Sequence, residues 1–137
     1  MAKILIVDDN RMFRVMLELL LVKDNHEVIV AVDGKDALEK FIKEKPSLII
    51  SDIFMDEMDG LELISEIKSH NNEVRIIAMS AGIVGEQSDF HLSTAELIGA
   101  HAVLKKPFSS QELKEAISVA MNPKTTKITK NNRGPRP

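Results

Sequence analysis

The chain reads as an α/β protein built on a doubly wound, five-stranded parallel sheet with helices on both faces. Three observations predict this. Two apolar runs, Lys3-Ile4-Leu5-Ile6-Val7 and Pro46-Ser47-Leu48-Ile49-Ile50-Ser51, are nearly continuous, as expected of strands buried on both sides of a parallel sheet. Strand and helix signals alternate from Lys3 to Met121, which calls for right-handed crossovers between parallel strands. The 137 residues include no cysteine, so a single domain of ordinary size must be held by its hydrophobic core and not by disulfides.

The elements follow in order. After the first strand, Asn10 can cap a helix whose apolar positions Phe13, Met16, Leu17 and Leu20 recur at helical spacing and which ends near Lys23. Glu27 to Val32 is the second strand. Asp33-Gly34 opens a helix with Ala37, Leu38, Phe41 and Ile42 on one face, stopped by Pro46. The third strand runs to Asp52, and Leu61, Ile64 and Ile67 mark the third helix. Val74 to Met79 is the fourth strand, with a helix carrying Leu92, Ala95 and Ile98 before Gly99. Ala102 to Leu104 is a short fifth strand. Ser109 and Glu112 form a capping box for the last helix, whose buried stripe is Leu113, Ala116, Ile117 and Ala120.

Charge divides the chain at Pro123. Residues 124–137 contain five basic residues and no acids; the remaining 13 basic residues stand against 21 acids, or −8, in residues 1–123. We therefore expect a domain over residues 1–123 and a basic, disordered tail over residues 124–137, to which no function is assigned. Tryptophan and tyrosine are absent, which argues against base-stacking platforms and direct nucleic-acid binding. No apolar run reaches membrane-spanning length and no signal-peptide core is present, so a cytoplasmic protein without membrane insertion is expected.

The first and third strands end in Asp8-Asp9 and Asp52. Ligand crevices of such sheets lie at the carboxyl ends of the strands, so the three carboxylates should converge. Taken singly, each is a turn former or helix cap. Together they predict a raised carboxyl pKa or a bound hard cation. The fourth strand brings Ser80 to the same end and the fifth brings Lys105 and Lys106. Carboxylates, a hydroxyl and an ammonium are what phosphoryl transfer requires, because the moving group carries charge on its equatorial oxygens.

At this point the sequence resembles the receiver domains of two-component response regulators, most closely the free-standing chemotaxis-regulator type, over residues 3 to 121. The resemblance implies a flavodoxin-like strand order of 2-1-3-4-5. It implies that Asp9 binds Mg²⁺ directly, Asp8 through water, and that Asp52 and the backbone carbonyl of Phe54 complete the protein ligands. Asp52 matches the aspartate phosphorylated by a sensor histidine kinase or histidine phosphotransfer protein. Met55, Met58, Asp59 and Gly60 resemble the loop that follows it. Ser80 matches the switch hydroxyl, and Lys106, directly before a cis Pro107, matches the family's lysine in preference to Lys105. The implied protein is a signalling switch that promotes only its own phosphorylation and dephosphorylation and passes the signal to a downstream protein partner.

The chain departs from that pattern at three places. Asp56 stands where proline is usual. Phe54 stands where a polar residue often orients the hydrolytic water, which implies a long-lived phosphoaspartate. Val103 stands where a Tyr or Phe usually swings inward. The segment from Ser80 to Lys106 is also longer than typical, with Gly82, Gly85 and Ser88 expected to form a loop. On the first helix a second apolar stripe of Met12, Val15, Leu19 and Val22 reads either as part of a widely buried face or as a docking surface for a helical partner.

Other chemistries fit less well. A phosphatase resembling the haloacid dehalogenase group needs a second Asp two residues after its nucleophile, where Asn10 and Phe54 stand here. A flavin protein of the same topology would find its phosphate repelled by Asp8-Asp9. Asp52, Asp56, Asp59 and Gly60 lack EF-hand spacing. His26, His70, His91 and His101 show no metal-ligand spacing.

Overall fold

The computed structural model describes residues 1–53, 55, 58–80 and 99–124. In chain order these form β1 (Lys3–Val7), α1 (Arg11–Lys23), β2 (Glu27–Ala31), α2 (Gly34–Glu44), β3 (Leu48–Asp52), α3 (Gly60–His70), β4 (Arg75–Ser80), β5 (Ala102–Lys105) and α4 (Ser110–Met121). The expected helix around Leu92 to Ile98, the glycine-containing loop before it, Phe54, Asp56, His91 and residues 125–137 of the tail lie outside the described residues.

The five strands form one parallel sheet in the order β2-β1-β3-β4-β5. Strand order reverses between β1 and β3, so their carboxyl ends flank the crevice where such sheets bind ligands. Alternation along each strand sorts the core into two layers. Ile4, Ile6, Leu48, Ile50, Ile77 and Met79 face α1 and α4, meeting Leu17, Leu21, Leu113, Ala116 and Ala120. Leu5, Val7, Ile49, Ile76 and Ala78 face α2 and α3, meeting Ala37, Phe41, Leu63, Ile64 and Ile67. β3 is buried along its whole length, as its uninterrupted apolar run requires.

Helix ends follow their local chemistry. Asn10, Asp33, Asp59 and Ser109 each cap a helix by accepting a backbone N–H three residues on, and Ser109 and Glu112 complete a reciprocal capping box. α2 ends at Lys45 in a left-handed conformation whose N–H reaches the Phe41 carbonyl; Pro46, lacking an N–H, cannot continue the helix.

Two helix faces differ from the sequence expectation. On α1 the fully buried residues are Leu17 and Leu21, four apart, whereas Met16 is 41% exposed. On α2, Ala37 and Phe41 are buried and Ile42 is 51% exposed. In both cases the exposed residue lies about 100° round the helix from a buried neighbour, so the true contact stripe is narrower than the apolar pattern. The second α1 stripe is not buried: Met12, Val15, Leu19 and Val22 are all exposed.

Two glycines allow close backbone approaches. A Cβ on Gly60 would stand 2.2 Å from the Asp52 carbonyl oxygen, and one on Gly34 would stand 2.1 Å from that of Met58. The chain after β3 is thus pressed against the first residues of both α2 and α3, with no room for a side chain at either contact.

Candidate functional site

β1 delivers Asp8, which is fully buried. Its N–H donates to the Ala31 carbonyl at 3.3 Å, carrying the β1–β2 pairing one residue past the strand. The chain then turns sharply into α1. The Asn10 N–H donates to Asp8 Oδ1 at 2.8 Å, and Asn10 Oδ1 accepts from the Phe13 N–H at 2.9 Å. From the first turn of the helix, Arg14 Nη1 donates back to the Asp8 carbonyl at 2.8 Å. Side chain and backbone of Asp8 are therefore both fixed.

β3 delivers Asp52, which is 4% exposed and lies opposite Met79 of β4 in the parallel register. Ser51 Oγ donates to the Asp52 carbonyl at 2.9 Å, and the Ile53 N–H donates to the Met79 carbonyl at 3.0 Å. β4 ends in Ser80, fully buried, whose carbonyl accepts from the Lys106 N–H at 2.9 Å. The bond between Lys106 and Pro107 is cis.

The two rival lysines separate clearly. Lys105 is exposed and paired with Ser80 in the sheet register. Lys106 turns inward: Nζ lies 2.5 Å from Asp8 Oδ2 and 3.0 Å from Asp52 Oδ2, with its side chain only 13% exposed. Its ammonium also sits over the Phe13 ring, 4.1 Å from the centroid. Phe108 meets that ring edge-on at 5.6 Å and 85°.

Carboxylate oxygens of Asp8, Asp9 and Asp52 lie within 4.8 Å of one another. Asp8 and Asp52 are buried, whereas Asp9 is exposed and closes the cluster on its solvent side. Among the described residues, the carboxylates of Asp8, Asp9 and Asp52 gather about one ammonium, that of Lys106, which leaves an excess of negative charge in a poorly solvated place. A small divalent cation is the natural complement, and oxygen ligands of this hardness suit Mg²⁺. The donor set therefore fits that metal. Phe54, whose carbonyl was expected as a further ligand, lies outside the described residues.

Val103 is buried opposite Ala78, among Ile76, Ala78 and Ala100 on the α2/α3 side of the sheet. Of the histidines, His26 accepts the Ala2 N–H at Nδ1, and burial lowers its pKa. His101 is buried at the start of β5, accepts the Ile76 N–H at Nδ1 (3.1 Å) and donates its own N–H to the Ile76 carbonyl at 2.7 Å. Burial, with the Lys68 and Arg75 charges nearby, pushes its pKa down to about 4. Neither belongs to the acidic cluster.

Sequence reasoning did not assign Arg14 or Phe13 to this site. Arg14, six residues past Asp8, is an ordinary helix charge by pattern, and Phe13 reads as core. The one available signal was their position in the first turn after a strand-end acid.

Residues 4–118 match the family described as response regulator receiver domain. The chain is 40% identical to the chemotaxis protein CheY of Bacillus subtilis (strain 168), covering 88% of this chain and 98% of that protein. It is 32% identical to sporulation initiation phosphotransferase F of the same organism, over 84% of this chain and 90% of that one. It also matches the probable transcriptional regulator ycf27 of Porphyra purpurea at 39% identity, spanning 94% of this chain but about half of that relative, 51%. Among solved structures, chemotaxis protein CheY4 of Vibrio cholerae superposes with a TM-score of 0.78 at 29% identity, covering 88% of this chain and 99% of that one.

Proposed function

The chain belongs to the response regulator receiver domains of two-component signalling, and from that premise we propose that it is switched by phosphorylation of Asp52. The observation that carries this reading is the shared ion pair: Lys106 lies between Asp8 and Asp52 at the carboxyl ends of adjacent strands, with Asp9 beside them.

In the proposed reaction an Asp52 carboxylate oxygen attacks the phosphorus of a phosphohistidine. An O–P bond forms, the P–N bond breaks, and its electron pair returns to the imidazole. Lys106 follows the charge from the carboxylate onto the phosphoryl oxygens. Asp9, Asp52 and, through water, Asp8 would hold Mg²⁺, which when bound would supply Lewis-acid neutralisation of those oxygens. Asp8 keeps its place through Asn10 and Arg14, and Ser80 offers its hydroxyl to the phosphoryl group from the neighbouring strand.

The phosphoryl donor is a sensor histidine kinase or a histidine phosphotransfer protein, and the output is a downstream protein. A new dianionic group favours the conformation in which Ser80 has moved toward it. With valine at position 103, that movement is read without the rotation of an aromatic ring.

Incubation of the chain with acetyl phosphate and Mg²⁺, followed by intact-protein mass spectrometry, tests the reading. Wild type gains one phosphoryl group, and Asp52→Asn gains none. Equal labelling of the two, or no labelling of wild type, would overturn the proposal.

A further inference from the structure

We propose that Phe13 is a positioning residue for Lys106, its ring face holding the ammonium where Asp52 reacts. The inference rests on the reading of Asp52 as phosphoryl acceptor. Nζ lies 4.1 Å from the Phe13 centroid, within the range of a cation–π contact, and the surroundings are largely dry. Phe108 meets the ring edge-on and steadies it.

The segment from Asp8 to Phe13 serves Lys106 twice. Asp8 ion-pairs with the ammonium, while Asn10 links the two ends of the segment: its N–H binds the Asp8 carboxylate and its side chain caps the Phe13 N–H. Anion and ring are thus held at a fixed spacing on one turn of chain.

A ring suits this task better than a third anion. Lysine is a long, freely rotating side chain with three N–H donors, and two of them already face Asp8 and Asp52. During transfer the ammonium must shift from the Asp52 oxygen to oxygens of the arriving group. Attraction to a ring face tolerates such a shift because it has no single acceptor direction. It also adds no negative charge to an already crowded cluster.

Simple packing would be served as well by leucine, and the two roles can be separated. The rate of Asp52 phosphorylation by acetyl phosphate at saturating Mg²⁺ is measured for wild type, Phe13→Leu, Phe13→Tyr and a series with one, two and three ring fluorines at position 13. Positioning through the ring predicts a roughly tenfold loss in Phe13→Leu, near wild-type rate in Phe13→Tyr, and a stepwise fall as fluorine weakens the ring quadrupole. The fluorinated rings keep the shape of phenylalanine, so a general folding defect does not produce that gradation.

As a second readout independent of activity, the Lys106 Cε protons should be shifted upfield by the ring in wild type and return to the ordinary lysine position in Phe13→Leu. If wild type is phosphorylated but the fluorine series is flat, or Phe13→Leu is as fast as wild type, Phe13 only fills space and the proposal falls while the Asp52 reading stands. If wild type is not phosphorylated at all, the Asp52 reading falls and takes the proposal with it; a ring-shifted Lys106 would then mark the contact as structural.

Discussion

His101 shows how one buried side chain ties stability to pH. Neutral, it accepts the Ile76 N–H; protonated, it could not accept, and it would carry a charge into a buried place near Lys68 and Arg75. Its pKa is therefore lower in the folded chain, about 4, than the ordinary 6.5 of the unfolded one. Between these values the unfolded state binds more protons, so this contribution is complete above pH 6.5 and is lost as pH falls toward 4. In His101→Gln, which keeps an acceptor but does not titrate, the melting-temperature deficit relative to wild type should shrink steadily over that window. A constant deficit would exclude the linkage. By pattern His101 showed only that it lacks metal-ligand spacing, because its partner Ile76 is 25 residues away. Asp8, Asp52 and the pair Lys105-Lys106 were readable because strand-end residues of a parallel sheet must share one edge, and the choice of Lys106 came from the family resemblance. Phe13 was not, since its contact with Lys106 joins elements at opposite ends of the chain.

At the scale of elements, α1 serves two surfaces at once. Leu17 and Leu21 anchor it to the sheet, while Met12, Val15, Leu19 and Val22 form an exposed apolar stripe running away from the acidic cluster. A helical partner laid along that stripe would place its phosphohistidine beside Asp52, since the N-terminus of α1 begins two residues after Asp9. The double variant Val15→Glu, Leu19→Glu is expected to slow phosphotransfer from the cognate kinase or phosphotransfer protein at least about tenfold, given roughly 1 kcal/mol or more per apolar side chain buried. Its labelling by acetyl phosphate should match wild type, since neither residue touches the cluster. Parallel loss in both assays would place the defect in the site and not in docking. The helix itself was evident from its period and from Asn10. Which apolar residues faced inward was not, because thirteen residues with apolar positions all round admit more than one stripe.

For the whole molecule, the doubly wound sheet determines both the core and the location of the cluster. Order and parallel direction of all five strands agree with the sequence expectation, with boundaries shifted by one or two residues. The alternation of elements carries the parallel direction and the resemblance to receiver domains carries the order, whereas strand ends depend on pairing. The acidic cluster is also a point of tension for the folded state: its carboxylates are crowded only once the sheet has formed. Asp9→Asn should therefore melt above wild type in the presence of a chelator. With Mg²⁺ at about one hundred times its dissociation constant, wild type should gain roughly 2.7 kcal/mol, and the variant clearly less. Calorimetry with and without the metal checks both signs; equal gains would remove Asp9 from the ligand set.

The register of the sheet carries one more consequence. Val7 lies opposite Ser51 in the pairing of β1 with β3, so Asp8 and Asp52 meet only when that pairing is correct. A slip of one residue turns a strand's side chains to the other face. A mispaired copy would then lose the Lys106 bridge altogether instead of keeping a weakened one. Correct assembly and chemical competence are thus tested by the same alignment, and a misfolded molecule sends no signal where a faulty one would otherwise send a false one.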